Sequence, residues 1–156
     1  MPQTHDDDIE SPDEPHRGGL ASHTRPREVC FLVGEDDAVL WSDASDSPVA
    51  LPDSRARWEA IWSRRDRIVE IAHTHPLGGA AFSREDETTM AALDSALGRS
   101  LTYSVVTPDR MLRRTPGDAG QSADALVPRE PWWAALIRIA SGVATPPRQS
   151  TKEEED

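Results

Sequence analysis

From Val29 to Val33 the chain is continuously apolar, Val-Cys-Phe-Leu-Val, and Gly34 ends the run. A short apolar run bounded by glycine predicts a strand buried on both faces. Glu35-Asp36-Asp37 then reads as a turn, and Ala38 to Trp41 as a returning strand. Beyond Pro52 the period changes. Trp58, Ile61 and Trp62 recur at i, i+3 and i+4 behind Asp53 or Ser54 as N-cap, which predicts a helix with both indoles packed in the core. Arg67 to His75 is rich in β-branched residues and predicts a third strand, which Pro76 ends because it has no amide hydrogen for the ladder. After Gly78-Gly79 a second helix is marked at every position that matters. Ser83 is the N-cap, acidic residues fill the first turn, Met90, Leu93 and Leu97 form the stripe, and Gly98 is the stop. "SLTYSVVTP" and "RMLRR" read as two further strands joined by a turn at Pro108-Asp109. Residues 115–128 read as a Gly-, Ser- and Asp-containing loop, and "EPWWAALIRIASG" as a closing helix with Pro131 near its start. The order β-β-α-β-α-β-β-α predicts an α/β domain, one mixed sheet with helices packed against it.

Composition narrows the picture. Residues 1–26 hold Asp6-Asp7-Asp8 and several prolines, and residues 144–156 finish in Glu-Glu-Glu-Asp. Such segments cannot bury enough apolar surface to offset their ordering entropy, so both are expected to be disordered, with residues 27–143 as the single domain. The net charge of −11 argues against nucleic acid as a partner, since phosphate binding needs a basic surface. The one cysteine, Cys30, excludes a disulfide framework and sits in an apolar run where an inert buried thiol is expected. Neither a membrane-length apolar segment nor a signal peptide is evident, which sets the expectation of a cytoplasmic protein without a membrane partner. Trp132 and Trp133 are adjacent on a helix and cannot face the same way; one is expected to pack on the sheet, and packing of both in the core is the favoured reading, with exposure of the other for a partner or homodimer contact as the alternative.

The chemistry lies in residues 73–86, His-Thr-His-Pro-Leu-Gly-Gly-Ala-Ala-Phe-Ser-Arg-Glu-Asp. On a strand, residues i and i+2 share a face, so His73 and His75 project together while Thr74 faces away. Asp86 falls in the first turn of the helix that the glycine loop folds back over the strand end. Ser-x-x-Asp alone is explained by helix capping, and a histidine pair alone by an exposed strand. Together they make two imidazoles and a carboxylate, a three-ligand set with a fourth position open to water, which is how catalytic zinc is held. One Zn2+ per chain is the expectation, and water bound to it would have a pKa near ~7. A facial-triad iron oxygenase uses the same ligand types and remains an alternative.

His73-x-His75-Pro76, seven residues from His75 to Ser83, then Ser83-x-x-Asp86, resembles the signature of the JAMM metalloproteases, in their bacterial JAB-type (MPN, Mov34) form. Upstream, Pro26-Arg27-Glu28-Val29-Cys30-Phe31-Leu32-Val33-Gly34 is similar to the family's glutamate-bearing strand, although it lacks an internal glycine and is one residue shorter. The resemblance runs from about residue 20 to 115. It implies an MPN/JAB-like fold with cytidine-deaminase-like layering, zinc on His73, His75 and Asp86, Glu28 as proton acceptor for the attacking water, and Ser83 as stabiliser of the oxyanion. Glu35, in an exposed turn, and Glu70, three residues before His73 and therefore facing away, are weaker candidates for the base. The implied activity is an isopeptidase or peptidase acting at the C-terminus of a bacterial ubiquitin-like protein or its conjugates, in a pathway with E1/E2-like enzymes. A RadC-like DNA-repair-associated protein, whose motif is similar, and an inactive MPN-type binding module are the alternatives.

Overall fold

The computed structural model describes residues 25–143; all but the last two residues of segment 1–26, and the tail 144–156, lie outside it. The apolar run becomes strand β1 (Val29–Gly34), buried along its whole length. Alternation sends Cys30 and Leu32 into one apolar cluster and Val29, Phe31 and Val33 into another on the opposite side. That two-sided burial is why no position of β1 is polar. A 3-10 turn at Glu35–Asp37 returns the chain as β2 (Val39–Ala44), antiparallel to β1. Asp36 and Asp37 both hold φ near 56°, a left-handed conformation that aspartate tolerates better than most residues. The indole N–H groups of Trp132 and Trp133 donate to the Asp37 carbonyl (3.0 Å) and carboxylate (3.1 Å), which anchors the turn.

Ser54 caps α1 (Arg55–Ser63), its hydroxyl accepting the Arg57 amide. The buried arc of this helix is centred on Ala60 and Ile61, and Arg57 at its edge pairs with Asp43 at 2.8 Å. The Trp58–Trp62 stripe is rotated away from that arc, leaving the two indoles 37% and 56% exposed. The expectation that both pack in the core is thereby corrected. Trp62 instead lies against the Arg65 guanidinium, 4.4 Å from its ring centroid, a cation–π contact.

Strand β3 (Ile68–Thr74) pairs antiparallel with β1 and parallel with β4 (Thr102–Val106). Parallel neighbours need a crossover, and helix α2 (Arg84–Leu97) makes it. β5 (Met111–Pro116) follows antiparallel, and β6 (Ser122–Leu126) pairs with β5. The sixth strand corrects the reading of residues 115–128 as loop. Every residue of Ser-Ala-Asp-Ala-Leu is exposed, so burial imposes no alternation, and its strand character comes from the ladder on β5 alone. The sheet order is β2-β1-β3-β4-β5-β6, with β3–β4 the one parallel pair.

Met90 and Leu93 of α2 and Ile61 of α1 pack with Cys30, Leu32, Ile71 and Tyr103 on one face of the sheet. Helix α3 (Trp132–Ser141) covers the other face, with Trp133, Ala134 and Ile137 against Phe31, Ala72 and Met111. Trp133 is fully buried and Trp132 is 61% exposed. The result is a three-layer α/β domain. Among the described residues no helix is long and apolar enough to cross a membrane.

Candidate metal centre

The centre forms where the carboxyl end of β3 meets the amino end of α2. Cys30 pairs with His73 in the β1–β3 ladder, and continuing that antiparallel register by two residues sets Glu28 opposite His75. The His75 amide donates to the Val106 carbonyl at 3.0 Å, so extended pairing persists one residue past β3. His73 and His75 consequently share the α1/α2 side of the sheet, their rings edge-on with centroids 4.7 Å apart. Thr74, between them, turns to the α3 side and is completely buried.

Helix α2 brings the carboxylate. The Ser83 hydroxyl accepts the Asp86 amide at 3.0 Å, while Asp86 Oδ2 accepts the Ser83 amide at 2.7 Å, a reciprocal capping box. The box fixes the Asp86 side chain so that Oδ1 lies 3.2 Å from His73 Nε2 and Oδ2 lies 3.3 Å from His75 Nε2. The two Nε2 atoms are 2.9 Å apart. One ligand atom from each of the three side chains lies within 4.8 Å of the others, close enough to share one ion, and two imidazole nitrogens with one carboxylate oxygen are zinc-type donors.

One contact outside the ligand set orients it. His75 Nδ1 lies 3.3 Å from the Gly79 carbonyl; a hydrogen on Nδ1 donates to that oxygen and leaves the Nε2 lone pair for a metal. This role of Gly79 is carried by its backbone, so no side-chain pattern announces it. The glycines work differently from expectation, since neither Gly78 nor Gly79 has a positive φ. A Cβ added at Gly78 would stand 3.4 Å from the His75 Cβ, so the loop packs closely on the histidine without any left-handed residue.

The electrostatics match the geometry. Burial pushes the Asp86 carboxyl up, but hydrogen bonds from His73 and His75 outweigh it and hold the carboxyl far below the usual range. Burial also acts against a charged His75; the Asp86 hydrogen bond and charge overcome it and raise the imidazole. Glu28 is 7% exposed, and burial lifts its carboxyl above the ordinary glutamate value despite the opposing pull of His73 and His75. Glu28, His73, His75, Ser83 and Asp86 all line one cavity of about 320 Å³.

The competing glutamates are placed elsewhere. Glu70 is buried on the α3 side of the sheet, bonded to Ser104 and paired with Arg113 at 3.0 Å. Glu35 is exposed in the turn at the far end of β1.

A three-layer α/β domain with two histidines and an aspartate converging at a strand–helix junction defines a protein with a prospective metal site. The family model for prokaryotic homologs of the JAB domain matches residues 19–115, more than half of the chain, and the protein belongs to that family. No curated protein matches the chain.

Proposed function

We propose that the protein is a zinc-dependent isopeptidase or peptidase that hydrolyses an amide bond at the C-terminus of a bacterial ubiquitin-like protein, either in deconjugation or in precursor processing. The observation that carries this reading is the convergence of His73, His75 and Asp86, with ligand atoms within 4.8 Å of one another, and Glu28 in the same cavity. JAB-family membership supports the same class. A zinc ion held by His73, His75 and Asp86 would supply Lewis acidity, lowering the pKa of water toward ~7.

The remaining work falls to the chain. Burial keeps the Glu28 carboxyl above its ordinary range, which suits a group that takes and returns a proton near neutral pH. Glu28 takes a proton from the attacking water as the oxygen–carbon bond forms at the scissile carbonyl. It then gives that proton to the nitrogen as the carbon–nitrogen bond breaks, so the products are a carboxylic acid and an amine. Ser83 Oγ already accepts the Asp86 amide, which leaves its own hydrogen free to donate to the carbonyl oxygen. The exposed position of Ser83 at the α2 N-terminus, where the helix dipole favours negative charge, supports this assignment.

The first test is metal content by mass spectrometry on full-length protein and on His75→Ala, followed by cleavage assays on fusions carrying ubiquitin-like C-termini. About one zinc per chain, lost in the variant, together with cleavage abolished by Glu28→Gln, is the expected result. Protein that holds no zinc after reconstitution overturns the hydrolase reading and leaves a binding module.

A further inference from the structure

Helix α3 reverses the usual arrangement of a surface helix. Its two polar side chains, Arg138 and Ser141, point inward and are 4% and 0% exposed. Arg138 is engaged by Glu130 and the Thr107 carbonyl, and Ser141 by the Arg27 carbonyl and the Thr74 hydroxyl. The outward side is apolar instead. Trp132, Leu136 and Ile139 are 61%, 41% and 67% exposed, and Ala135 is exposed between them. Of the tryptophan pair, core packing therefore holds for Trp133 alone. A helix that is apolar all round is normally buried all round, whereas the sheet covers only the Trp133–Ala134–Ile137 side of α3. Trp132 is also held in place, its indole N–H donating to the Asp37 carbonyl at 3.0 Å. A fixed aromatic ring with its one donor satisfied loses little freedom on contact, as an interface anchor should.

We infer that the outward face of α3 is the contact between two copies of this chain, paired antiparallel across a two-fold axis. The spacing of the stripe selects a second copy. Residues 132, 136 and 139 stand at i, i+4 and i+7, and an axis passing between Ala135 and Leu136 lays Trp132 of one copy on Ile139 of the other. Leu136 then meets its own counterpart, so the stripe is complementary to itself. Charge runs the same way. The Trp132 end abuts the exposed acidic turn Glu35–Asp37, and at the opposite end Arg27 donates to the Ala140 carbonyl at 3.0 Å. The two-fold carries each acidic turn toward Arg27 of the other copy, where a parallel pairing would set like charges together. The stripe itself is uncharged in a chain of net charge −11, so the copies meet where self-repulsion is least. Its apolar area is on the order of a few hundred Å² per copy, the size of a functional patch, and short of the roughly 800 Å² per partner of a standard interface. The pair should therefore form reversibly. The candidate metal centres lie on the α1/α2 side of the sheet, so both stay open in the pair, and the inference does not depend on the hydrolase reading.

The test is sedimentation velocity of the full-length protein from low micromolar to several hundred micromolar. The wild type should shift from the mass of one copy to that of two as concentration rises. Leu136→Glu and Ile139→Glu alter exposed positions, and both should sediment as single copies throughout with unchanged thermal melting. Leu136→Cys, beside the axis, should oxidise to a covalent dimer under conditions where Arg129→Cys, beyond the end of the stripe, does not. A single copy of the wild type at every concentration, whether the stripe is bare or covered by the chain's own ends, overturns the proposal. So does a dimer that survives both glutamate variants, or equal crosslinking of the two cysteine variants. Assembly beyond two copies also overturns it, because that marks an open-ended contact and not a closed pair.

Discussion

The side-chain oxygen of Thr74 accepts the amide hydrogen of Val29 at 2.9 Å. Thr74 stands between the two candidate metal ligands, and Val29 follows the proposed base, so this buried hydrogen bond adds to the β1–β3 ladder in tying the histidine segment to Glu28 from behind the sheet. Ser141 Oγ, 3.0 Å from the Thr74 hydroxyl, joins α3 to the same point. Thr74→Val keeps the shape and leaves the Val29 amide without its acceptor. The expected cost is about 1–3 kcal/mol of unfolding free energy, read by denaturant titration. A fall in kcat at unchanged zinc content, restored by Thr74→Ser, marks Thr74 as a positioning residue; equal kcat in all three proteins would limit it to a structural role.

Ser83 serves the helix and, on the proposed mechanism, the reaction. Ser83→Ala removes the acceptor for the Asp86 amide and should lower stability by about 0.5–2 kcal/mol. It should also lower kcat by about 10²–10³, the effect of losing one oxyanion donor. Ser83→Thr retains the hydroxyl and should recover both properties. Hydrolysis at the wild-type rate by Ser83→Ala would remove the oxyanion role and leave only the cap.

Arg114 ties α2 to the edge strand, with Glu87 at 2.6 Å and Asp124 at 2.6 Å. The hydrogen bond from Arg114 holds the Asp124 carboxyl below its usual value. A depressed carboxyl contributes stability above its unfolded pKa of about 3.9 and loses it as pH falls through the folded value. Both carboxylates are substantially exposed, so Asp124→Asn should cost only a few tenths of a kcal/mol at neutral pH. Urea midpoints at pH 7 and pH 3 should therefore differ less in the variant than in the wild type. An unchanged difference would show that this pair does not contribute.

Burial pushes the Cys30 thiol up to about 12. At pH 8 the native thiol should react with a disulfide reagent roughly a thousandfold more slowly than a free cysteine of pKa about 8.5. Denaturant should release a single fast-reacting thiol. Fast reaction of folded protein would mean that the core around Cys30 opens to reagent and water in the native state.

The site was more legible in the sequence than the sheet that carries it. Strand period alone puts His73 and His75 on one face, and the spacing of Ser83 from Asp86 is a helix-capping pattern that the structure turns into ligand geometry. Glu28 could be found only through the family resemblance, because its place opposite His75 is set by pairing between segments distant in the chain. Strand β6 gave no signal, being exposed at every position. The tryptophans of α1 misled because period reveals which residues share a face, and the Arg57–Asp43 pair helps decide which face meets the sheet.

The ligands and the proposed base have very different relationships to the chain. His73, His75 and Asp86 fall within one short segment, so their convergence requires only a strand end, a loop and one helical turn. Bringing Glu28 to them requires closing the stretch that contains β2 and α1, which costs more chain entropy and forms later in any low-to-high contact-order sequence of events. On the proposed reading, a chain still folding would capture a metal ion before it acquires its base. The hydrolytic function, on this reading, switches on only when β1 docks against β3, and an incompletely folded copy would hold metal yet stay inert.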